Sequence, residues 1–207
     1  MLELLGRSSS INVRKVLWVC AELNIACQHV EWGSGDFQLS DPAFLALNPN
    51  GLVPVIRDEG AVLWESNTIC RYLAARAARE DLLPANPLGR AKVEQWMDWQ
   101  ATELNTAWRY AFMALVRKSP AHTDQTSIDS SVRSWNRHMA ILDQTLAATG
   151  AYVTGPAFTL ADVVIGLSVN RWFASPIDRP ELPSVAAYFE RLSQRAGFRA
   201  HGCNGLP

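Results

Sequence analysis

The sequence predicts two units, a small α/β domain over residues 1–80 and an all-helical domain over 89–207, joined by a linker at 81–88. Three observations predict this division. Short β-prone runs alternate with helix-spaced apolar residues through the first eighty positions, and only helical spacing follows. The stretch Leu82-Leu83-Pro84-Ala85-Asn86-Pro87 interrupts both patterns with turn formers. Residues 48–73, NPNGLVPVIRDEGAVLWESNTICRYL, read in succession as turn, strand, tight hairpin, second strand and helix.

The elements follow in order. Residues 2–5 form a brief apolar strand, and 6–10 a loop. Over 12–23, Val13, Val16, Leu17 and Cys20 recur at helical spacing. Residues 25–32 alternate as a second strand, and Gly33-Ser34-Gly35-Asp36 is a flexible loop. Asp41-Pro42, a capping residue before a proline at the first helical position, starts a short helix reaching residue 47. Asn48-Pro49-Asn50-Gly51 is dense in turn formers, so the strand at 52–56 follows a tight turn. Asp58-Glu59-Gly60 closes a hairpin onto 61–64, and Glu65-Ser66 opens a helix to about residue 78. The order β-α-β-α-β-β-α matches a thioredoxin-like domain.

Beyond the linker, residues 89–118 read as one long amphipathic helix with Val93, Trp96, Met97, Leu104 and Trp108 near one face. A polar break containing Pro120 precedes a helix over 128–149, which Gly150 ends. Thr159-Leu160-Ala161-Asp162 carries a capping signal, in which Thr159 caps the backbone while Asp162 reaches back. Residues 183–195 form the last helix.

Composition narrows the function. At 207 residues and 48% hydrophobic, the chain can bury a substantial core. A formal net charge of −1 carries no polyelectrolyte signature, which argues against a nucleic-acid partner. No basic region followed by an apolar stretch opens the chain, so no signal peptide is expected. The apolar runs are too short to span a bilayer, so no membrane partner is expected either. Cys20, Cys27, Cys70 and Cys203 show no metal-like spacing; they read as reduced thiols of a cytoplasmic protein. No metal site is expected.

The 48–73 run carries the chemistry. Pro54 cannot donate to a sheet ladder, so it belongs at the start of a strand. X-Pro bonds also accept the cis form at low cost, and a cis turn there exposes the backbone of Val53. A free backbone edge beside the helix N-terminus at Glu65-Ser66 can hold an extended peptide that bears a carboxylate.

Four motifs in this order resemble the cytosolic glutathione transferase superfamily across essentially the whole chain. They are the start at 6–16, Asn48-Pro49-Asn50-Gly51-Leu52-Val53-Pro54, Glu65-Ser66-Asn67, and Thr159-Leu160-Ala161-Asp162. The nearest resemblance is to bacterial theta-like or nu-like members with serine or asparagine at the active site. It implies an enzyme that activates the glutathione thiol as thiolate for attack on a small hydrophobic electrophile. Glutathione is then a cosubstrate, with no cofactor, and the protein a homodimer serving detoxification. A glutathione-dependent isomerase or dehalogenase, and a non-catalytic binding or regulatory protein on the same fold, are the alternatives.

The resemblance also assigns residues. Ser10 falls on the serine-type catalytic position, with Asn12 the runner-up; capping of the first helix is the other role open to either. Val53, before a cis Pro54, pairs with the cysteinyl unit, Glu65 takes the γ-glutamyl ammonium, and Ser66 takes its carboxylate. Many relatives carry a cation between the second strand and the Asn-Pro turn for the glycyl carboxylate. Residues 35–40 have none, leaving Trp32, Gln38 or main-chain donors for that end. Asp98 matches a position that approaches the partner subunit's glutathione. Asn105 stands where beta-class members carry histidine, which disfavours disulfide chemistry. Trp108, Phe112, Trp172 and Phe173 are the expected walls of the electrophile pocket, though aromatic residues at such spacing also build cores.

Overall fold

A computed structural model describes residues 1–35 and 37–207; Asp36, in the glycine-rich loop expected at 33–36, lies outside the described residues. The first half is a four-stranded mixed sheet in the order β2-β1-β3-β4. β1 (Leu2–Leu5) runs parallel to β2 (Cys27–Val30) and antiparallel to β3 (Val55–Asp58), which turns back onto β4 (Ala61–Trp64). The parallel pair needs a crossover, supplied by α1 (Ile11–Leu23). A short α2 (Pro42–Leu45) and α3 (Ser66–Arg76) complete this half. The β-α-β-α-β-β-α order expected from the sequence is the observed one.

The second half is helical. α4 (Pro87–Trp99) continues through one π-helical turn (Gln100–Leu104) into α5 (Asn105–Leu115). α6 (Gln125–Thr149), α7 (Leu160–Ala174), α8 (Pro183–Ser193) and α9 (Ala196–His201) follow. Local signals explain the boundaries. Asp41 and Asn86 cap α2 and α4 with their side chains, and proline stands inside the first turn of each. Gly150 ends α6 at φ 76°, a conformation that costs glycine little.

Three expectations change. β3 begins at Val55 rather than 52, because Pro54 and its cis bond to Val53 lie outside the ladder. The single helix expected over 89–118 contains the π turn, where Gln100 points inward and is fully buried. The last helix stops at Ser193, and the separate α9 follows it.

α7 is the axis of the core. Every residue from Leu160 to Trp172 is buried, so this helix is enclosed on all sides. Close approach depends on Gly166, where an added Cβ would stand 2.6 Å from Leu192 Cδ1 and 3.1 Å from the Trp18 ring. Trp18 of α1 packs on Phe158 and Phe198, with ring centroids 5.8 and 5.0 Å away. α1 therefore touches both halves, and its N-terminus opens at their junction.

Candidate active site

The N-terminus of α1 is built by Gly6 and Ser10. Gly6, at φ 153°, lets the end of β1 pass close to Val13 and Val53: an added Cβ would meet them at 2.5 and 3.0 Å. Ser10 occupies the N-cap position, with extended backbone angles and its carbonyl accepting from Arg14 N–H at 3.0 Å. Its hydroxyl makes no capping hydrogen bond. A half-buried serine hydroxyl at a helix N-terminus therefore keeps its proton free, where the helix field favours negative charge. Asn12 is engaged instead: its Oδ1 accepts from Ser66 Oγ at 3.3 Å.

The 48–66 segment supplies an adjacent wall. Buried Asn48 fixes the turn, its Nδ2 donating to Leu52 O at 2.7 Å and its Oδ1 accepting from Asn50 N–H at 3.1 Å. The cis Val53–Pro54 bond follows, and the ladder starts only at Val55. Among the described residues, neither the N–H nor the C=O of Val53 has a hydrogen-bond partner. Glu65 then sits at φ 71° and ψ 109°, a strained geometry for a residue with a side chain; strain of this kind gathers at functional sites. It is exposed, while Ser66, first in α3, is buried.

The glycyl-end candidates serve their own loop. Trp32 Nε1 donates to Gln38 O at 3.2 Å, and the Gln38 side-chain amide donates to Gly35 O. The Trp32 ring stacks on Phe44 at 5.3 Å, in a small core with Leu5 and Val55. The cation that sequence reasoning missed here is Arg7, whose Nη1 reaches Gly33 O at 3.2 Å. Asp98 is exposed and pairs with Arg71 at 2.5 Å within its own chain.

The four aromatic residues do not form one wall. Trp108 and Phe112 pack edge to face at 5.3 Å on α5. Trp172 instead donates from Nε1 to Asn136 on α6 at 2.8 Å. Phe173 packs on Phe189 of α8 at 5.1 Å. Trp172 and Phe173 line a separate surface hollow of about 390 Å³ with Arg179, Leu182 and Pro183. The two pairs sit on different helices and turn to different neighbours.

Two groups of buried cations were not foreseen. Lys15, 1% exposed, donates to Asn67 Oδ1 at 3.1 Å and to Gln100 Oε1 at 2.7 Å. Gln100 in turn donates to Ser168 and Asn105, so the π turn ties α1, α3 and α7 together. Burial lowers the Lys15 ammonium to about 8. The second group is buried Arg14 and Arg171, with the exposed Arg117 beside them. Burial holds Arg14 down to about 10 and Arg171 to about 9, and their mutual repulsion adds to it. All remain protonated at neutral pH. Only Arg14 is well tethered, to the main-chain oxygens of Gly202, Leu206 and Pro207 at 3.4, 3.0 and 2.8 Å. The sequence offered little signal for either group, since their cationic ends converge only through tertiary packing.

The fold and site define a thioredoxin-like domain followed by a helical one, with an open main-chain edge and two helix N-termini at the junction. Residues 4–85 match the family described as glutathione S-transferase, N-terminal domain, and residues 104–196 match its C-terminal domain. The chain is 37% identical over 202 residues to glutathione S-transferase GstB of Escherichia coli, covering 96% of each. It is 32% identical to glutathione S-transferase 3 of Zea mays, over 96% of this chain and 91% of the other. A theta-class glutathione S-transferase from Xanthomonas axonopodis pv. citri, solved with glutathione bound, superposes with a TM-score of 0.91 at 37% identity. That match covers 100% of this chain and 99% of the other. The chain belongs to the glutathione S-transferase family of enzymes.

Proposed function

We propose that this glutathione S-transferase binds glutathione along the Val53 edge and activates its thiol at Ser10. The observation that carries the reading is the Ser10 hydroxyl, placed at the N-terminus of α1 and left without a capping bond. A free thiol has a pKa of about 8.5, so at neutral pH most of it is protonated. A hydroxyl donor and a helix N-terminal field both favour the thiolate. The thiolate sulfur then bonds to the electrophilic carbon of a small hydrophobic molecule, and the leaving group departs with its electron pair.

Val53 offers an unpaired N–H and C=O to the cysteinyl unit, as a one-residue strand addition. Ser66 and the first amides of α3 take the γ-glutamyl carboxylate, and exposed Glu65 takes the ammonium. Asn12, hydrogen-bonded to Ser66, supports that end rather than the sulfur. The bond from Arg7 to Gly33 O puts a cation beside the loop where the glycyl end would lie. The assembly we propose is a homodimer. The active unit divides at the linker, with 1–80 holding glutathione and 89–207 the electrophile.

Ser10→Ala should lower conjugation by about 10- to 100-fold, the scale of losing one stabilising donor. Calorimetric affinity for glutathione should stay within about threefold, because one neutral hydroxyl contributes little to ground-state binding. Near-unchanged turnover in Ser10→Ala, with collapse in Asn12→Ala, would move the role to Asn12. No glutathione binding at all would remove the transferase reading.

A further inference from the structure

We propose that the electrophile carries a carboxylate or similar oxyanion, and that Arg171 is the residue that receives it. This rests on the transferase reading above and names the substrate class of that same site.

Arg171 lies on the last turns of α7, 3% exposed. Its guanidinium carbon stands 4.0 Å from the Phe112 ring centroid and 4.5 Å from that of Trp108. Among the described residues it has no carboxylate within ion-pair distance and no side-chain hydrogen bond, and its Nε is buried without a partner. Aromatic faces attract a cation but accept none of its N–H groups in a fork. The five donors of an arginine are made for a planar oxyanion, and here none is used.

The surroundings locate that oxyanion. Arg117 stands 5.4 Å from the same Phe112 ring, and its Nη2 donates to Ser9 O at 3.4 Å. Phe112 is thus flanked by two guanidinium groups, one of which touches the residue before Ser10. Arg14 opposes Arg171 with a third like charge. None of Arg7, Arg14, Arg117 and Arg171 joins any ion pair among the described residues, in a chain whose formal net charge is −1. Gathering like charges in this way, with Arg14 and Arg117 repelling Arg171 and Arg7 repelling Arg117, is unfavourable for the free protein and favourable once an anion enters.

Glutathione is itself an anion, but its carboxylates are accounted for on the other side. The γ-glutamyl end belongs at α3, and the glycyl end near the loop that Arg7 touches. Arg171 projects from the helical half against Trp108 and Phe112, the pair that remains as an electrophile wall. A flat molecule with a carboxylate at one end and its reactive carbon towards Ser10 matches aromatic faces followed by a guanidinium.

Two measurements test this in the full-length protein. The first titrates benzoate against benzamide without glutathione, by calorimetry. Wild type should bind benzoate at least about tenfold more tightly, Arg171→Met should abolish the preference, and Arg171→Lys should keep part of it. Equal binding of the two probes by wild type overturns the proposal. The second compares conjugation of 4-chloro-3-nitrobenzoate with that of 4-chloro-3-nitrobenzamide, in which the sulfur–carbon bond forms as chloride leaves. Arg171→Met should lower kcat/KM for the carboxylate about tenfold or more and leave the amide within about threefold. An Arg171→Met that weakens glutathione binding while both electrophiles fall equally assigns the cation to glutathione and also overturns the proposal. Turnover of neither electrophile would count against the transferase reading, while the benzoate titration still decides the role of Arg171.

Discussion

The two charged residues of α7 live under opposite rules. Asp162, at the helix start, is fully buried and fully engaged. It accepts from Val153 N–H at 2.9 Å, Thr159 N–H at 2.8 Å and Tyr188 OH at 3.0 Å, and Thr159 Oγ1 donates to it at 3.1 Å. Arg171, nine residues on, is nearly as buried and donates to nothing among the described residues. A satisfied buried charge specifies a fold, whereas an unsatisfied one persists where something outside the chain completes it. The helix thus joins a structural end to a functional one.

Breaking the structural end gives the largest expected effect. Asp162→Ala strands the N–H groups of Val153 and Thr159 and the Tyr188 hydroxyl in the core, and removes the reciprocal cap of α7. Each orphaned group costs about 1–3 kcal/mol, so the variant should lose about 3–5 kcal/mol in chemical denaturation. A loss under about 1 kcal/mol would erase the contrast with Arg171.

How far each end was legible follows from the same difference. The capping box is local: Thr159 and Asp162 are three residues apart, so the sequence states it outright, as it does Gly150 ending α6. The turn at 48–51 and the proline before Val55 are local too, and they position the Val53 edge. Arg171 is not local. Its significance depends on Phe112, 59 positions away in the chain, being 4.0 Å distant, and on the failure of any carboxylate to arrive. Lys15 and Gln100 are hidden for the same reason, since their bond needs α1 and the π turn to meet. Trp172 and Phe173 show the reverse error: their aromatic character suggests a wall shared with Trp108 and Phe112, but they lie on another helix and turn to Asn136 and Phe189.

The pH dependence of stability sharpens the contrast at Asp162, with an effect of about 3 kcal/mol. Burial raises its carboxyl from 3.8 to about 6, against hydrogen bonds that favour the carboxylate. An acid whose folded pKa lies above its unfolded value binds more protons when folded. Its contribution is therefore most favourable below about pH 4 and is lost as pH rises through 6. Carboxylates with salt bridges, such as Glu22 with Arg195, are lowered and behave oppositely, so the raw profile mixes both signs. The difference between wild type and Asp162→Asn isolates the group. Wild type should lose stability relative to Asp162→Asn between pH 4 and 6; a flat difference would mean that the hydrogen bonds cancel the burial cost.

The smallest effect should come from the functional end, and with the other sign. Arg171→Met removes a cation whose desolvation costs several kcal/mol. It also removes the attraction of two ring faces, worth about 2 kcal/mol or more each when desolvated. The repulsion from Arg14 and Arg117 disappears with it. Methionine is flexible enough to fill the space against Trp108 and Phe112. Denaturation of the free protein should show Arg171→Met unchanged or up to about 1 kcal/mol more stable than wild type, in the same variant that loses its preference for benzoate. A stability loss beyond about 1 kcal/mol would make Arg171 a structural cation held by the rings. The two ends of α7 would then differ only in the kind of partner they keep.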